Sequence, residues 1–198
     1  MYAIDVVTAP TALPVTVAEL RDWLRLNGTA EDDQLELLLW AAVERFEADT
    51  RRPVLETEYR QWCSRWPCSG KVVLGRGGIT EVTSVGKLLA NDTLAAVTGW
   101  RADVRTPPAR VILPPGLVAA TADDGRPVEP AGCVLFTAGW ANAAAVPKAV
   151  KVAVRLLAAH WYEHREAFRD GGALTETPAG WEAVTNPYRL MLSGDWGQ

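Results

Sequence analysis

His160, Glu163 and His164 are the residues whose types and spacing come nearest to a reaction centre. The run His160-Trp161-Tyr162-Glu163-His164 fits H-x-x-E-H, in which two histidines one helical turn apart hold zinc and the glutamate works on water. These are the only two histidines in the chain, so a third ligand would have to be a carboxylate, and only 34 residues follow His164. The simpler reading is a helix end, where histidine favours the C-terminal dipole. Other constellations are less complete. There is no G-x-S-x-G, and the glycines at 75–78 lack the Lys-Ser/Thr of a phosphate loop. Cys63 and Cys68 have no second pair to complete a zinc site. Asp32-Asp33 and Asp123-Asp124 sit at an expected helix start and turn, where dipole and turn chemistry account for them. The expectation is a protein that is not an enzyme and carries no metal or cofactor. A metal-dependent hydrolase using His160, Glu163 and His164 is one alternative; a β module for a small ligand or sugar is another.

The histidines lie in the segment on which the chain is organised, residues 147–168. Pro147 suits a first helical turn, and no Gly or Pro follows until Gly171. Lys148, Lys151 and Arg155 form one narrow charged stripe, while nearly everything else from Ala149 to Tyr162 is apolar. Such a helix must be covered on most sides, by other helices or by other subunits. It is too short and too charged to span a bilayer.

Composition supports assembly rather than chemistry. With 198 residues and 48% hydrophobic side chains the chain can bury a substantial core. A net charge of −4 provides no general attraction for nucleic acid. Residues 1–52 hold 10 acidic against 5 basic side chains, and the remainder 14 against 15, so the acidity is N-terminal. Nine Trp is a high count for a residue frequent at interfaces. Cys63, Cys68 and Cys133 read as reduced thiols of a cytosolic chain, and no signal or membrane segment is visible.

Taken in order, residues 1–15 read as extended, and Leu13-Pro14 leads into a capping box, Thr16 with Glu19, and a helix whose face is Val17, Leu20, Trp23 and Leu24, ending at Asn27-Gly28. Thr29 is expected to cap a second helix, with Leu35, Leu38, Leu39, Ala42 and Phe46 inward, ending at Arg51-Arg52-Pro53. Trp40 falls among Glu36, Glu44 and Glu47 on the outer side, where it is either half-covered by the chain's own β region or a subunit contact. From 54 to 140 the period becomes two, with strands expected at Glu56–Trp66, Lys71–Leu74, Ile79–Leu89, Val97–Asp103, Ala109–Leu113 and Cys133–Ala138. After Gly171-Gly172, Trp181–Val184 reads as a helical turn, and Pro187-Tyr188-Arg189-Leu190-Met191-Leu192 as a tail that docks on its own domain or a partner. The expected fold is α+β: two N-terminal helices and one long C-terminal helix form a small bundle, with an antiparallel β domain or partial barrel inserted. The divisions are 1–53, 54–140, 141–170 and an extended tail at 171–198.

Leu13-Pro14-Val15-Thr16-Val17-Ala18-Glu19-Leu20-Arg21 resembles the opening of the head–tail connector (adaptor) family of long-tailed bacteriophages. So does Glu31–Leu38, running on through Ala41–Arg52. Ile79–Val85 is similar to the family's first sheet segment, Phe136–Trp140, Val146-Pro147 and His160–Glu166 to its closing pattern, and Pro187-Tyr188-Arg189 to its terminal one. The loops at 90–132 match no part of the pattern, and residues 168–178 with Trp181–Val184 depart from it. The Ala-, Arg- and Trp-rich composition is similar to that of members from high-GC bacteria, among them the adaptors of gene transfer agents. The resemblance implies a structural ring of about twelve copies beneath a portal protein. A stopper or tail-completion protein lies below, and double-stranded DNA passes through without sequence-specific binding. It implies assembly in the bacterial cytoplasm, then residence in the particle's neck, away from membranes. Trp181, Pro187, Tyr188, Arg189, Leu190, Met191 and Leu192 would then be the portal-binding tail. Trp40, Glu36, Glu44, Lys148, Lys151 and Arg155 would form the subunit interface, the chain being a weak monomer alone.

Overall fold

A computed structural model of the chain describes residues 3–119, 121–122, 125–164, 178 and 180–192. They form two compact units. One comprises residues 10–55 and 140–189, the other residues 1–9, 56–139 and 190–198.

The first unit is helical. Its first helix, α1 (Val17–Leu24), begins as the sequence predicts: Thr16 Oγ1 accepts from the Glu19 backbone N–H, and the Glu19 carboxylate accepts from that of Thr16. It ends earlier than expected. Arg25 takes a left-handed conformation at φ 55°, and the Leu26 N–H returns to the Arg21 carbonyl, closing the helix before Asn27-Gly28. Trp23 does not join the core face; it is 48% exposed. The second helix, α2 (Asp32–Thr50), is not capped by Thr29. Glu31 holds the cap position, and its side chain makes no capping hydrogen bond to the first turn; a turn closed by Asp32 N–H to the Thr29 carbonyl comes first. Arg21 instead pairs with Asp32, tying α1 to the start of α2.

Leu35, Leu39, Ala42, Val43 and Phe46 make the buried face of α2, with Leu38 half-buried beside it. They pack on α3 (Lys148–Glu163), whose buried residues are Val150, Ala153, Val154, Leu157, Ala158 and Ala159. The expected extension of α3 to Phe168 falls outside the described residues, as do Gly171-Gly172 and Asp123-Asp124. A short helix, α4 (Trp181–Thr185), runs into a 3-10 turn at Asn186–Tyr188.

The second unit is built from β1 (Ile4–Thr8), β2 (Thr57–Cys63), β3 (Lys71–Val73), β4 (Ile79–Leu88), β5 (Leu94–Ala96), β6 (Arg101–Asp103), β7 (Arg110–Ile112) and β8 (Gly132–Ala138). One sheet has the order β1-β2-β8-β4-β5 and the other β3-β7-β6, with every neighbour antiparallel. Both contribute to one core, including Tyr59, Val72, Val82, Val111, Val134 and Phe136. Two strands differ from the sequence expectation. The N-terminal segment is strand β1 at the edge of this sheet, and β5 forms a hairpin with β4 before the place where Val97 was expected to open a strand. Gly132 has no room for a side chain: a Cβ there would stand 2.1 Å from the Gly86 carbonyl and 2.5 Å from the Trp66 ring.

The three cysteines are free, with Cys63 and Cys133 buried and Cys68 exposed in a turn. Burial pushes the Cys63 thiol up to about 12 and that of Cys133 upward as well, away from the reactive thiolate form.

Candidate subunit and partner surfaces

The helical segment that suggested a metal site ends with the two histidine rings 4.3 Å apart and His164 Nδ1 2.9 Å from the carbonyl of His160. Glu163 is exposed, and Tyr162 donates to Glu31 at 2.6 Å. Among the described residues no group of three His, Cys, Asp or Glu side chains could hold a metal ion. A groove of about 830 Å³ in the sheet unit is lined by Trp66, Pro67, Cys68, Leu113, Pro114 and Leu117, among others. Its charged wall residues Arg65 and Glu129 satisfy each other at 3.0 Å, leaving few convergent polar groups to fix a small ligand.

The clearest surfaces are on the helical unit. α2 turns an acidic side outward. Glu36 and Glu44 are exposed, and Leu37 is 68% exposed. Trp40 is half-buried on this side and is not among the residues packed into the unit's core. On α3, Leu156 is 41% exposed and Lys148 is exposed, whereas Lys151 and Arg155 are half-buried. The charged stripe of α3 is therefore split. Arg155 lies over the Trp23 ring of α1 at 5.4 Å, and both Lys151 and Arg155 sit in the field of Glu19. The Glu19 carboxyl is held below the ordinary glutamate range, chiefly by the Thr16 backbone N–H, with smaller help from those two cations.

The C-terminal candidates divide in the same way. Trp181 is buried against α2: its Nε1 donates to Asp49 Oδ2 at 2.8 Å, an oxygen that also accepts from Arg45 Nε at 3.0 Å. The Trp181 ring meets Phe46 edge-on at 6.3 Å. Tyr188 packs on Phe46 at 6.0 Å and on Trp140 at 5.8 Å, and Arg52 covers Trp140 at 4.4 Å. Arg189 Nε donates to the Asp49 carbonyl at 3.1 Å. So Trp181 and Tyr188 hold residues 181–189 on their own unit. Pro187, Arg189 and Met191 are exposed, Leu192 is half-buried and Leu190 is buried. Sequence reasoning missed Asp49, which joins these partners. Its place in the last turn of α2 carries no signal until Trp181, 132 residues away, is known to meet it.

The chain is similar to chains in three solved assemblies, each covering 96% of this chain and being covered over 96% of its own length. They are the neck of an empty gene transfer agent particle computed with C6 symmetry (28% identity, TM-score 0.75) and the virion of the native particle (28%, 0.74). The third is the neck of the native particle computed with C12 symmetry (30% identity, TM-score 0.70). No family model matches the sequence, and no curated protein does.

Proposed function

This chain belongs to the head–tail connector family of phage-like particles, and from that membership we propose that it is the adaptor ring in the neck of a gene transfer agent. The observation that carries this is the match of nearly the whole chain, at 30% identity, to a chain of a neck computed with C12 symmetry. The role is structural: copies form a ring of about twelve that joins the DNA-filled head to the tail. The ring sits beneath the portal and above a stopper or tail-completion protein. The C-terminal segment makes the portal contact through exposed Pro187, Arg189 and Met191 and the adjoining Leu190 and Leu192, while Trp181 and Tyr188 hold it in place on α2. Trp40, Glu36, Glu44, Lys148, Lys151 and Arg155 lie at or beside contacts between copies. Double-stranded DNA passes through the ring without sequence-specific binding, a role helped by a net charge of −4, since firm DNA binding needs phosphate neutralised by Lys and Arg. The chain works without enzymatic chemistry, joins the particle in the bacterial cytoplasm and remains in the neck.

The test is co-expression with the portal protein followed by mass measurement and electron microscopy. A ring of about twelve copies seated on the portal is expected; a chain that stays monomeric beside intact portal rings contradicts the assignment. Met191→Ala should weaken portal attachment and leave the fold intact.

A further inference from the structure

α2 and α3 pack on each other through Leu35, Leu39 and Phe46 on one side and Val150, Val154 and Leu157 on the other. At 100° per residue the remaining faces therefore point outward on opposite sides of the pair. On α2 the outward face centres on Leu37 and Trp40, with Glu36 and Glu44 within a turn. On α3 it centres on Leu156, with Lys148 two turns before it. Arg155 flanks Leu156 and lies over exposed Trp23 of α1, and its buried Nε has no acceptor among the described residues. Each face thus has a large apolar centre and a charged rim, and the rims are opposite in sign. Glu19 is the acidic group facing Lys151 and Arg155, and it leaves the α3 side net positive.

Two copies meeting through the same face would set glutamate against glutamate or lysine against lysine, which costs affinity. Unlike faces on opposite sides of one unit propagate from copy to copy and close into a ring when the rotation allows. We propose that the contact between copies is head-to-tail, with the acidic outer face of α2 docking on the basic outer face of α3 and α1 of a second copy. This rests on the connector reading and specifies which surfaces build its ring. The apolar centres exclude water and supply the affinity, while the charged rims select the partner face and its register.

Charge reversal tests the pairing in necks isolated from cells expressing each variant. One variant carries Glu36→Lys with Glu44→Lys, the other Lys148→Glu with Lys151→Glu. Each alone should lower ring yield at least about tenfold while the purified monomer stays folded by circular dichroism. Expressed together they should restore rings, because every contact then joins a reversed face to its complement or a native face to its own. Leu37→Asp, a single change at the most exposed apolar position, should reproduce the loss. Full ring yield in Leu37→Asp, or failure of the pair to restore what each reversal lost, would overturn this contact and leave the connector reading standing. Absence of the wild-type chain from the neck would overturn that reading instead.

Discussion

At the end of α2 the helical unit is closed by residues that arrive from far along the chain. Trp181, Tyr188 and Arg189 gather on Phe46 and Asp49, and Trp140 joins them with Arg52 over its ring. The sheet unit is closed from inside. Gln61, fully buried on β2, donates to the Val73 carbonyl at 2.8 Å and accepts from the Gly75 N–H at 2.8 Å, satisfying two backbone groups where β3 ends. The surfaces left behind differ accordingly. Exposed Val6 and Val7, Leu94, Val104, Val118 and Met191 are spread over strands, loops and the C-terminal segment of the sheet unit. In the helical unit Leu37 and Leu156 are aligned with charged rims on whole helix faces. Scattered exposed apolar residues are ordinary, whereas aligned ones mark contacts. The charged, apolar-centred helix faces of the helical unit are therefore the surfaces on which the proposed contact between copies rests.

Several substitutions break or sharpen that contrast. Phe46→Ala removes the ring on which Trp181 and Tyr188 pack and should cost about 3–5 kcal/mol in urea denaturation. Gln61→Met keeps the volume but leaves the Val73 carbonyl and the Gly75 N–H without their partner; a loss of about 1–3 kcal/mol is expected by the same measurement. Thr16→Ala should cost about 1 kcal/mol. The Glu19 side of that cap depends on pH. Because the carboxyl is held low in the folded chain, its contribution is complete above the ordinary glutamate value of about 4.3. It fades as the pH falls through the lower folded value, and Glu19→Gln should abolish that pH dependence. Trp40→Ala should have the smallest effect on the monomer, within about 0.5 kcal/mol, yet reduce ring assembly. A loss of several kcal/mol there would make Trp40 core and remove the contrast.

The sequence made local signals readable where partners are near in the chain. Thr16 and Glu19 are three residues apart and formed the predicted capping box. The helical period identified Leu35, Leu39, Ala42 and Phe46, and β8 differs by one residue from its expected span. What escaped depends on distant or unusual backbone. The strand β1 lies in a stretch that reads as extended, but its pairing is with β2, fifty or more residues away, and its register shifts between Val6 and Thr8. The end of α1 uses Arg25 in a left-handed conformation, while Asn27-Gly28 offered the more familiar stop. Trp23 fits the apolar period of α1 but lies under Arg155, a cation–π arrangement that periodicity cannot distinguish from burial. The candidate surfaces were legible as an acidic helix side around Trp40 and a basic stripe on α3. The division of that stripe between α1 and solvent required the packed structure.

The most direct measurement of the connector role is electron microscopy of particles from a strain that lacks this chain, with the wild-type chain supplied in trans as the control. The account predicts packaged heads that carry portals but no tails, and tailed particles again when the chain is supplied. Tailed particles with a complete neck in its absence would contradict the account.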